Sequence, residues 1–87
     1  MKVQELLTDS SKWTQGAYAR DAQGNIVSVK SDYAMKFCII GALRVCGYDM
    51  ARVYRSIPER IGSLFEWNDN PARTFDDVKQ LITELDL

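Results

Sequence analysis

From Tyr33 to Cys46 the sequence Tyr-Ala-Met-Lys-Phe-Cys-Ile-Ile-Gly-Ala-Leu-Arg-Val-Cys carries only two charges, Lys36 and Arg44. Ser31 or Asp32 can cap a helix at its start, and Gly47 can end it in a left-handed turn. A helix that is apolar almost all round must be buried. The segment therefore predicts a buried central helix over about 32–46. Gly41 and Ala42 within it predict close approach by a neighbouring element. The chain has 87 residues and is 46% hydrophobic, which suits one small domain, 1–87, with one core.

The remaining segments are short and must pack around that helix. Val3, Leu6 and Leu7 have helical spacing and predict a helix over 2–9, ended by Thr8-Asp9-Ser10-Ser11. Residues 17–29 read as a β-hairpin turning at Asp21-Ala22-Gln23-Gly24, with Tyr18, Ile26, Val27 and Val29 as strand formers. Asp49 can cap a helix with Met50, Val53, Tyr54 and Ile57 on one face. Ser56-Ile57-Pro58-Glu59 has the form of a capping box, opening a helix that buries Ile61, Leu64 and Phe65. Trp67 to Pro71 breaks it. Thr74 caps a last helix buried through Phe75, Val78, Leu81, Ile82 and Leu85, with Asp76 and Asp77 at its positive end. The expected fold is mainly α with a small β-hairpin (α+β), four to five short helices around the central one.

Composition removes several classes of function. The formal net charge is −1, so nothing draws the whole chain to nucleic acid. No stretch reaches the roughly 20 apolar residues of a membrane span. The start, Met1-Lys2-Val3-Gln4-Glu5, has no apolar centre of a signal peptide, which predicts a cytoplasmic protein without membrane attachment. Cys38 and Cys46 on one helix would stand about 12 Å apart, too far for a disulfide. The sequence has no histidine. It therefore has no Cys–His pair and no usual zinc ligand set. Asn68, Asp69 and Asn70 lack the glycine and distal glutamate of a calcium loop. No metal site and no cofactor are expected.

Three segments stand out together: Trp13 to Asp21, Phe37-Cys38-Ile39-Ile40-Gly41-Ala42-Leu43, and Trp67-Asn68-Asp69 with Arg73-Thr74. In this order and spacing, over about 13–85, the chain resembles a family of small bacterial and bacteriophage proteins of unknown function. Phe37 stands where that family more often has Trp. The resemblance implies a prokaryotic or phage origin and brings no activity, substrate or cofactor.

The candidate binding residues are Trp67, Asn68, Asp69 and Arg73: an aromatic platform, an amide, a carboxylate and a guanidinium fork. Turn chemistry accounts for the same residues. Asn68 can end a helix in the left-handed region, Asp69 can close an Asx-turn, and Arg73 can return to Asp69. The reading favoured by the sequence is a non-enzymatic protein-interaction or accessory module with no catalytic residues. If phage-encoded, it would act on a host or defence protein. Homodimerisation is compatible with this. One alternative is a small enzyme using Cys38 with Asp69 and Arg73, although Cys38 sits well inside its predicted helix and reads as a core residue. Another is weak nucleic-acid binding through Arg52 and Arg55, beside Tyr48 and Tyr54. It is disfavoured because the domain is not basic and has no binding motif.

Overall fold

The computed structural model describes residues 1–87. It contains α1 (Val3–Leu6), β1 (Ala19–Arg20), β2 (Lys36–Phe37), α2 (Ile39–Val45), α3 (Met50–Ser56), α4 (Leu64–Asp69) and α5 (Phe75–Glu84), with 3-10 turns at Ser10–Lys12 and Glu59–Ile61. This is the mainly α, α+β fold that the sequence predicts. α2 packs against α1 and α4, and α1 packs against α5. One cluster of 15 buried residues holds these elements, with Ile39, Ala42 and Leu43 of α2 fully buried inside it. No helix is long and apolar enough to cross a membrane.

The central helix is shorter than predicted. It begins at Ile39, not near 32, and ends at Val45. Lys36 and Phe37 are extended and pair antiparallel with Arg20 and Ala19. An apolar run does not by itself distinguish a buried strand from a buried helix. Here the amino-terminal part of the run is used in a ribbon and only the rest in a helix. Tyr33, predicted on the buried helix, is 77% exposed, and Met35 is exposed as well.

The hairpin forms, with a shorter return than expected. Its turn forms as read: Asp21 Oδ1 accepts from the amides of Gln23 and Asn25, and Gly24 is left-handed. The chain after the turn returns only through a single bridge between Arg20 and Ile26. The main partner of β1 is the distant β2. β2 is bridged in turn to Trp13, and Thr14 N donates to Phe37 O. The ribbon thus runs from residue 26 through β1 and β2 to Trp13.

Other local differences have local causes. α1 covers Val3–Leu6 and not 2–9. Ser56 is the last residue of α3 and its hydroxyl donates to Val53 O, so no capping box forms there. Gly62, with positive φ, separates the 3-10 turn from α4, whose cap is Ser63. Asp49 caps α3 as predicted, and Thr74 and Asp77 form a reciprocal capping box on α5. The ends of the chain meet, with Lys2 paired to Asp86 and Tyr48 Oη donating to Leu87 O.

Candidate functional site

The three segments singled out in the sequence converge on one side chain. Asn68 is 1% exposed, inside α4 with helical backbone, not at a left-handed helix end. Its Oδ1 accepts from Trp13 Nε1 at 2.8 Å and from the amide of Ile39 at 3.0 Å. Its Nδ2 donates to Thr14 O at 3.2 Å and to Asp69 Oδ1 at 3.0 Å. Every polar atom of the side chain is thereby used inside the protein. The bond to Ile39 satisfies, in a buried setting, one of the amides that a helix leaves unpaired at its start.

The surrounding residues close the same knot. Asp69 Oδ1 also accepts from Gly16 N, and Gln15 Nε2 donates to the carbonyls of Asn68 and Asn70. The Asx-turn expected at Asp69 is made by Asn70, whose Oδ1 accepts from Ala72 N. Trp13 is half-buried, its ring 6.4 Å from that of Phe75. No buried side-chain nitrogen or oxygen lacks a partner.

Arg73 does not return to Asp69. Its guanidinium lies 4.0 Å from the centre of the Trp67 ring. Its Nε donates to Trp67 O at 2.8 Å, and Asp77 pairs with it at 3.8 Å. Trp67 and Arg73 thus line a shallow groove of about 230 Å³ together with Arg60, Asp77, Gln80 and Glu84. Arg60 there is paired with Glu84. The Asp77 carboxyl is held below its ordinary range, first by the amide of Thr74 and then by the Thr74 hydroxyl and the Arg73 charge.

Cys38 is 2% exposed and is not among the residues lining the Trp67–Arg73 groove. It is the N-cap of α2, not a residue within the helix, and its Sγ accepts from Gly41 N at 3.3 Å. Burial nonetheless pushes its thiol pKa up, outweighing the two helix amides that pull it down. Cys38, Asp69 and Arg73 do not meet in an open cleft, so the arrangement required by the cysteine-enzyme alternative is missing. Both cysteines are free, and no three His, Cys, Asp or Glu side chains gather as a metal site would need.

The sequence reading missed a second arginine–aromatic cluster. Tyr18 is 43% exposed and Phe65, predicted as core, is 44% exposed. Their rings meet edge to face at 6.3 Å. Arg44 lies 4.9 Å over the Tyr18 ring. Side-chain hydrogen bonds from guanidinium groups come from Arg20, Arg60 and Arg73. Arg44 makes none, and it has no place in the three ion pairs of the molecule. The available signal was the charge at position 44 on an otherwise apolar helix. Arg52 and Arg55 are exposed and equally unpaired, but neither is stacked on a ring.

A family model matches residues 1–85, nearly the whole of this structure. The chain belongs to DUF6197, a family of unknown function. No curated protein and no solved structure matches it. Membership in DUF6197 therefore assigns no activity, and the functional reading has to come from the surface just described.

Proposed function

We propose that this DUF6197 chain is a non-enzymatic interaction module that binds another protein through the face formed by Tyr18, Phe65 and Arg44. The observation that carries this reading is two half-exposed aromatic rings in contact, with an unpaired guanidinium stacked on one of them. Aromatic residues and arginine are the residue types enriched at the energetic centres of protein interfaces. The four residues singled out from the sequence, Trp67, Asn68, Asp69 and Arg73, serve this module differently. Asn68 uses all its side-chain polar atoms within the chain, Asp69 accepts from Gly16 and Asn68, and Arg73 is stacked on Trp67, so they serve to hold the fold that presents the face. A phage origin, if the resemblance holds, would make the partner a protein of the host cell.

The test is capture from a lysate with three proteins in parallel: the unaltered chain, the Tyr18→Ser/Phe65→Ser double variant, and Arg52→Gln as a control. The expected result is a protein retained by the first and third and lost with the second, at matched melting temperatures. Retention that ignores the double variant would refute the assignment of this face.

A further inference from the structure

We infer that the Tyr18–Phe65–Arg44 face recognises an acidic segment of its partner: a side-chain carboxylate held by Arg44, next to an apolar side chain on the two rings. This rests on the interaction reading above and adds the chemistry of the ligand.

The face is built on fixed backbone. Ala17 and Ala19 on either side of Tyr18 are buried, so the chain alternates inward and outward and turns the Tyr18 ring to the surface. Tyr18 O accepts from Cys38 N at 3.2 Å. The same carbonyl lies against Gly41, where an added Cβ would sit 2.0 Å from it. Only glycine lets α2 come this close, and the contact pins Tyr18 from below. Arg44 follows Gly41 by three residues, about one helical turn, so it shares that face of α2 and reaches back over the ring. Phe65 arrives from α4. Anchors that are already ordered lose little conformational freedom when a partner binds.

The chemistry of Arg44 selects the ligand. Stacking uses the flat face of a guanidinium and leaves its N–H edge free. In Arg44 that edge has no partner, and Glu66, the acid beside Phe65, is not paired with it. A carboxylate fits such an edge with two parallel hydrogen bonds. The acids of this chain that form ion pairs, Asp77, Glu84 and Asp86, are taken by Arg73, Arg60 and Lys2, so none of them occupies the Arg44 edge. A nucleic acid is a poorer fit, because one face of Tyr18 is already covered by Arg44 and the chain carries a net charge of −1.

The test is selection of binders to the full-length protein from a random peptide library, followed by affinity measurement against variants of confirmed melting temperature. The expected binders carry Asp or Glu beside an apolar residue. Arg44→Gln should weaken them roughly tenfold or more, and Arg44→Lys should recover only part of the loss. Binders that need Tyr18 and Phe65 but carry no acid and ignore Arg44→Gln would overturn the carboxylate and leave the interaction reading standing. Binders that all ignore Tyr18→Ser/Phe65→Ser, or the absence of any, would overturn both. Oligothymidine bound more tightly than the peptides, and released by Arg44→Gln, would overturn the carboxylate in favour of phosphate.

Discussion

Arg73 and Arg44 each lay a guanidinium over an aromatic ring, and they differ in what their nitrogens do. Arg73 covers Trp67, donates its Nε to the Trp67 carbonyl and is ion-paired with Asp77. Arg44 covers Tyr18 and does neither. The first stack joins α4 to the start of α5 and borders the buried knot around Asn68. The second stands on a backbone contact at Gly41 and faces solvent. The same pair of residue types is a fold contact in one place and an open surface in the other. Composition does not separate them; the state of the guanidinium edge does.

The comparison can be broken hardest at the knot. Asn68→Ala would leave Trp13 Nε1, the Ile39 amide and Thr14 O without their partner, each in a part-buried or buried place. A loss of about 4 kcal/mol in urea unfolding is expected, since each unsatisfied buried group costs about 1–3 kcal/mol. A loss under about 1 kcal/mol would mean the knot is not what closes the fold. On the open side, Gly41→Ala drives a Cβ into the Tyr18 carbonyl. That carbonyl is backbone and cannot swing aside, so a loss of about 3 kcal/mol is expected, at the upper end of overpacking costs. Ring signals of Tyr18 and Phe65 should shift in the NMR spectrum if the variant folds.

Acid sharpens the contrast with a smaller effect. Asp9, Asp21 and Asp77 are all held below the ordinary carboxylate value of 3.8. The Ser11 hydroxyl is the main cause for Asp9, the Asn25 amide for Asp21 and the Thr74 amide for Asp77. A carboxyl whose folded pKa lies below its unfolded one stabilises the fold above the unfolded value, and that share is lost as pH falls through the folded value. Stability should therefore hold from neutral pH to about 5 and decline below about 4. Asp77→Asn should flatten that decline, because it removes the carboxylate on the Arg73 side. Arg44→Ala should leave the decline unchanged, because no carboxylate pairs with Arg44.

Much of the helical frame was legible. Asp49 and Thr74 announce α3 and α5 because caps are local chemistry, and Asp21 with Gly24 announces the turn for the same reason. The close approach at Gly41 also followed from the residue type. The register of β2 was not legible, since its pairing with β1 joins residues far apart in sequence and Lys36-Phe37 looks like the start of a helix. Asn68 shows the limit at the site. Its type fits a turn, and only the fold reveals that Trp13, Thr14 and Ile39 supply the partners that make it a core residue. Phe65 is the converse: its spacing from Ile61 predicts burial on one helix, but Gly62 interrupts that helix and the buried face of α4 falls on Leu64 and Asn68, which leaves Phe65 at the surface.

The most direct measurement is urea unfolding of Arg73→Ala beside Arg44→Ala. Arg73→Ala gives up a stacked cation worth about 1 kcal/mol and a hydrogen bond worth about 1 kcal/mol, for a combined loss near 2 kcal/mol. Arg44→Ala gives up only an exposed stack, about 0.5 kcal/mol. Equal losses, or a larger one for Arg44, would contradict the division between a stack that holds the fold and a stack left open for a partner.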